Sequence, residues 1–148
     1  MKVYLAADHA GFESKELLKR ELPGHGFNVV DMGAFSLDPD DDYPDYMRKA
    51  AHAVSEDPDA RAILIGGSGQ GEAIVANRTK GVRAAVYYGG PRDILLLSRE
   101  HNNSNILSLG ARFISSDEIV EGVLFWLGVK FSSVERHARR IKKIDEGV

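Results

Sequence analysis

A glutamate follows a run of glycines in "IGGSGQGEAIVAN", residues 65–77. Gly66, Gly67, Gly69 and Gly71 let the backbone turn tightly and approach a ligand closely. A helix opening behind them would aim free N–H groups and a partial positive charge back at the loop. That outlines an anion cradle, but not a nucleotide loop. G-x-x-x-x-G-K-[ST] needs lysine and a hydroxyl where Glu72 and Ala73 stand. G-x-G-x-x-G would need glycine at 72 and a place after the first strand. A carboxylate beside a bound polyphosphate is repulsive. The same parts suit proton transfer between carbons beside a carbonyl, which needs a base and donors for the enediolate oxygen. Glu72 can be that base, with the Ser68 hydroxyl and the helix-terminal amides as donors. An acid in a helix's first turn is also favoured by the dipole alone, so the residues leave both readings open.

Further polar residues fall at positions that matter. Asp8 and His9 in "ADHAG" follow an apolar run and project where a strand ends, although Asp8 could equally cap the next helix. His101, in "SREHNNSN", closes a helix, where capping is ordinary chemistry. The end of that helix should lie at the sheet edge opposite the glycine loop. For His101 to share a site with Glu72 it must come from a second subunit, which predicts a homodimer with composite sites. Arg136 and Arg140 are four apart and share a helix face. The pair suits a phosphate dianion held bidentately or is simply a solvated basic face. His25 reads as a turn residue, His52 as a helix-face residue, and the acidic loop "SLDPDDDYPDY" (36–46) as a solvated turn before a helix. No metal motif is present: there is no H-E-x-x-H, and the Asp run at 38–42 lacks the EF-hand spacing. Ser68 is flanked directly by glycines, so it is not a G-x-S-x-G nucleophile.

These residues must be positioned by regular elements. Apolar runs at 3–7, 27–32, 62–67, 83–88 and 105–110 lack polar alternation, as strands buried on both faces do. Helical periodicity lies between them, and a last segment, "SVERHARRIKKIDE", reads as a terminal helix. Strand–helix alternation implies a doubly wound α/β domain, in which ligands bind at the carboxyl ends of the strands. "ADHAG", "GGSGQGE" and "GAR" (110–112) should meet there.

The 148 residues suit one domain, 1–148. A net charge of −3 gives no reason to expect nucleic acid or an anionic membrane. No apolar run approaches the about 20 residues of a membrane span, and the start carries no signal-peptide pattern. With no cysteine, thiol nucleophiles, disulfides and Cys-based zinc sites are excluded together. A cytoplasmic location is the expectation.

"ADHAGFESKE", "DYPDY", "GGSGQGEAIVAN", "SREHNNSNILSLGAR" and "RHARRIKKI", in this order over essentially the whole chain, resemble the ribose-5-phosphate isomerase B family, which includes galactose-6-phosphate isomerase subunits. The resemblance implies a Rossmann-like three-layer sandwich with a five-stranded parallel sheet and an extra C-terminal helix, assembled as a homodimer or tetramer, without cofactor or metal. It also implies interconversion of ribose 5-phosphate and ribulose 5-phosphate through an enediolate. By motif, Glu72 is the base, and His101 opens the furanose ring with help from Asp8. Ser68 and the amides of Gly67, Gly69, Gln70 and Gly71 hold the enediolate. His9, Arg112, Arg136 and Arg140 grip the phosphate, and Asn102 contacts the sugar. Many members carry Cys-Gly-Thr-Gly and use the cysteine as base; this chain has Gly66-Gly67-Ser68-Gly69 and resembles the branch where the glutamate takes over. Such a glutamate is expected ionised at neutral pH with an unperturbed pKa of about 4.3. Tetrose 4-phosphates and hexose 6-phosphates are alternative substrates, and a non-catalytic phosphosugar binder is the alternative class.

Overall fold

The computed structural model of the chain describes residues 1–146. Its strands are β1 (Lys2–Ala7), β2 (Asn28–Asp31), β3 (Arg61–Gly66), β4 (Ala84–Tyr87) and β5 (Ile106–Gly110), and its helices are α1 (Phe12–Glu21), α2 (Pro44–Glu56), α3 (Gln70–Ala76), α4 (Asp93–Glu100), α5 (Ser116–Gly128) and α6 (Glu135–Asp145). The strands form one parallel sheet in the order β2-β1-β3-β5-β4. The strands expected from sequence are all present, within a residue or two at each end.

Central strands read as continuous apolar runs because both faces are covered. In register, Leu5 faces Ile63 and Ile63 faces Leu107. On one face these side chains pack with Leu18 of α1, Leu95 of α4 and Ile119, Val123 and Trp126 of α5. On the other, Ala6, Leu64 and Ile106 pack with Met47, Ala51 and Val54 of α2 and Ala76 of α3. The result is three layers, with α6 beyond them burying only His137. α5 begins with a reciprocal cap: Ser115 Oγ accepts from Glu118 N, and the Glu118 carboxylate accepts from Ser115 N. Buried Trp126 donates to Ser98 Oγ at 3.0 Å, tying α5 to α4.

Lys15 of α1 is fully buried. Its Nζ donates to both oxygens of Asp31, at 2.9 and 2.8 Å, and to Glu16 at 2.8 Å. Asp31 also accepts from Gly33 N, and Gly33 and Ala34 exchange hydrogen bonds with Ala7 at 2.7 Å each. The ion pair therefore fastens the chain that flanks the end of β1. The order of strands reverses direction between β1 and β3, which marks the crevice outside their carboxyl ends as the place for a ligand.

Candidate active site

Three strand ends and one loop build a cleft of about 560 Å3, lined by Asp8, His9, Ala10, Tyr43, Gly67, Ser68, Gly71, Glu72, Arg112 and Phe113. After β1 the chain turns through Gly11, where a Cβ would lie 2.2 Å from the Ile65 carbonyl oxygen, so only glycine lets this turn sit against β3. Asp8 Oδ1 accepts from the Ala10 and Gly11 amides at 2.9 and 3.1 Å. Asp8 thus does brace the turn locally, as the capping alternative held, while its buried carboxyl also lines the cleft.

After β3, Gly69 takes a left-handed backbone (φ +77°) and α3 opens. Its carbonyl is anchored by Ser108 Oγ at 2.7 Å from within β5. The next turn folds Glu72 back over the loop: a Cβ on Gly66 would lie 1.9 Å from Glu72 Oε1. The carboxylate occupies the room a side chain at 66 would take. Gly67 leaves the corresponding room for the Arg112 guanidinium, and Gly71 for the Tyr43 ring. After β5, the Ala111 and Arg112 amides donate to the carbonyls of Gly66 and Gly67, bringing Arg112 to the loop.

Electrostatics set the two titratable centres apart. Glu72 is 4% exposed, and among the described residues no cation lies within ion-pair distance of it. Burial raises its pKa above the usual carboxylate value of 4.5, the Asp8 charge adds to the rise, and a backbone N–H opposes it. The unperturbed glutamate expected from sequence is corrected accordingly. His9 moves up from 6.5 because Nδ1 is hydrogen-bonded to Asp41 Oδ1 at 2.7 Å; burial and Arg112 oppose this. Asp41 Oδ1 also accepts from His9 N at 3.2 Å, and Asp41 Oδ2 is buried with no partner among the described residues.

The acidic loop is therefore more than a solvated turn. Asp41 is turned inward on His9, and Tyr43 walls the cleft. The residue pattern held no sign of this, because the Asp41–His9 contact joins positions 32 apart. The "DYPDY" stretch within the family resemblance, residues 42–46, includes Tyr43 but not Asp41. Ligand atoms of Asp8, His9 and Asp41 lie within 4.8 Å of one another. Asp8 Oδ1 is engaged with the Ala10 and Gly11 amides and His9 Nδ1 with Asp41, so only the His9–Asp41 contact joins the two loops by a side-chain hydrogen bond.

Several residues expected at the site lie elsewhere in the chain. Gly69 is buried beneath the loop, and exposed Gln70 borders a depression with Val86 and Tyr88 on the far side of α3, because α3 turns Glu72, not Gln70, toward the cleft. Ser68 Oγ accepts from Gln70 N at 3.3 Å. His101, Asn102, Arg136 and Arg140 do not line the cleft. His101 follows α4, at the opposite sheet edge, with its ring 4.1 Å from that of His137. Arg136 Nε donates to His137 Nε2 at 3.2 Å. Burial, His101, Arg136 and Arg140 together push the His137 pKa down, so the two histidines and two guanidinium groups form a second cluster.

The family model for ribose/galactose isomerases matches residues 3–144. The chain belongs to the ribose/galactose isomerase family. Among its relatives in that family is the ribose-5-phosphate isomerase B of Mycolicibacterium paratuberculosis, 40% identical over 146 residues, covering 99% of this chain and 91% of the relative. The Mycobacterium tuberculosis enzyme of that name is 38% identical, covering 99% and 89%. Among solved structures, the Mycoplasma genitalium ribose-5-phosphate isomerase B with bound ribulose-5-phosphate superposes with a TM-score of 0.93 at 37% identity, covering 99% of this chain and 95% of that one. The Thermotoga maritima structure gives a TM-score of 0.88 at 40% identity, covering 98% and 97%.

Proposed function

We propose that the protein is an aldose–ketose isomerase that interconverts ribose 5-phosphate and ribulose 5-phosphate. The supporting observation is a buried carboxylate, Glu72, with no counter-cation, beside the backbone of a glycine loop in the floor of the cleft. A buried glutamate without a counter-cation is costly to keep, and a base for a C–H proton is a use that repays that cost.

His101 of a second copy and Asp8 exchange the protons that open the furanose: the anomeric hydroxyl loses one and the ring oxygen gains one. Glu72 then takes the proton from C2, and the released electron pair forms the C1–C2 double bond of an enediolate. The Ser68 hydroxyl and amides of the 67–71 loop donate to the developing oxyanion. The O2 hydroxyl proton passes to O1 while Glu72 returns its proton to C1. Arg112 and His9, with Arg136 and Arg140 of the second copy on the phosphate and Asn102 of the second copy on the sugar, hold the phosphorylated substrate. The composite arrangement makes a homodimer the smallest working unit.

Glu72→Gln tests the base directly: kcat falls by about a thousandfold or more with KM nearly unchanged, as for a group used mainly in the transition state. Turnover that survives the change removes Glu72 from this role. A panel of four-, five- and six-carbon sugar phosphates compared by kcat/KM identifies the substrate, with ribose 5-phosphate expected to lead.

A further inference from the structure

A second cavity, about 260 Å3, opens on the opposite edge of the sheet. Arg61 opens β3 and Arg83 precedes β4; both line the cavity, with Asn103 and Asn105 from the turn into β5, Ser55 from the last turn of α2 and Pro58 after it. The cleft chemistry uses none of these residues.

Two guanidinium groups here are only partly committed. Arg61 Nη1 donates to the carbonyls of Pro58 and Ala60, at 3.0 and 2.6 Å. Arg83 Nε donates to Asn103 O at 3.0 Å and Nη1 to Gly81 O at 3.1 Å. Among the described residues, the Nη2 groups of both have no hydrogen-bond acceptor. Behind them Arg99 is buried and spends its donors on Val129 O, Asn103 Oδ1 and Ser104 O.

Among the described residues the charges do not balance. Three guanidiniums meet Asp145, 3.7 Å from Arg83, and Asp59, which lies beyond ion-pair distance of Arg61. Burial and then the charges of Arg61 and Arg83 lower Arg99 to about 10, and burial and Arg83 lower Arg61, so the three groups feel one another. Carbonyl ends of α2 and α4 offset part of this positive charge, and each is worth only about half an elementary charge.

We propose that this cavity binds a phosphate dianion, free or as a compact monoester, between the Nη2 groups of Arg61 and Arg83. A planar guanidinium fork matches phosphate oxygens bidentately. The volume lies just under the about 300–1,000 Å3 of ordinary small-molecule pockets, which suits a ligand much smaller than a nucleotide.

Inorganic phosphate is titrated into the whole protein and followed by 31P NMR, in an Arg112→Ala background that weakens the cleft's own hold on phosphate. A saturable site is expected there, and adding Arg61→Gln should raise its dissociation constant about tenfold or more. Should Arg61→Gln fail to fold, Ser55→Asp sets a carboxylate at the cavity mouth, on an exposed residue, and should weaken the site as much. Methyl phosphate in a parallel arm separates the ligand forms: tighter binding than inorganic phosphate assigns a monoester, equal or weaker binding the free anion. No saturable site in the Arg112→Ala background, or unchanged affinity in both added variants, overturns the proposal. Ribose 5-phosphate turnover, measured on Arg61→Gln alone, is expected to persist, so a failed isomerase assay and a failed phosphate titration are separate results.

Discussion

Glu72 and His9 are both displaced upward in pKa, for opposite electrostatic reasons, and the consequences differ. For Glu72 the raised value means that the ionised form is the disfavoured one in the fold. As pH falls through that value the base is lost, so the acid limb of kcat/KM should lie above the ordinary 4.5, and a limb at or below it would contradict the burial argument. Above that value the buried charge destabilises the native state, and neutral glutamine mimics the protonated form. Glu72→Gln should therefore raise the thermal midpoint at pH 7 while abolishing turnover; a lowered midpoint would point to structural damage instead. For His9, the Asp41 contact favours the imidazolium. Asp41→Asn should return His9 toward 6.5, so the variant's KM for the sugar phosphate should begin to rise at a lower pH than the wild type's, with the two proteins converging toward acid pH. A KM defect independent of pH would remove Asp41 from this role.

At the scale of elements, the parallel sheet and the helices were legible because continuous apolar runs and helical periodicity are local signals. "VYLAA" lies in β1 and "AILIGG" runs through β3 to one residue past its end, and their loops converge at the carboxyl edge as topology requires. What stayed hidden was contact across the chain. Nothing periodic marks Asp41 as inward-facing, and spacing cannot say that α3 turns Glu72 toward the cleft and Gln70 away from it. The loop glycines show the same limit: the sequence told that Gly66 permits a turn, whereas the structure shows that it makes room for a carboxylate. Gly66→Ala should accordingly displace Glu72 and lower kcat by a factor of about a hundred or more, with β3 and the rest of the fold kept by circular dichroism. Full activity in that variant would mean that the carboxylate works from another position.

For the whole molecule, the telling fact is separation. The cleft holds Glu72, His9 and Arg112, and the opposite edge holds His101 with Arg136 close by. One chain does not unite them; two copies related by a dyad can, since an isologous twofold interface makes each site twice over. Exposed apolar residues, among them Tyr88, Ile94, Leu97 and Phe113, are available to such an interface. Inactive Glu72→Gln and His101→Asn proteins, mixed and allowed to exchange subunits, should recover about a quarter of wild-type activity: half the dimers are mixed and each mixed dimer has one intact site. No recovery despite demonstrated exchange would place both residues' work within one chain.

An amine sealed under α1 has a practical use. Lys15 touches no solvent and holds Asp31 with both oxygens. Acylating reagents that label the exposed lysines in seconds can reach it only when that helix lifts, so the rate at which Lys15 becomes labelled is a built-in clock for opening of the β1–β2 side of the protein.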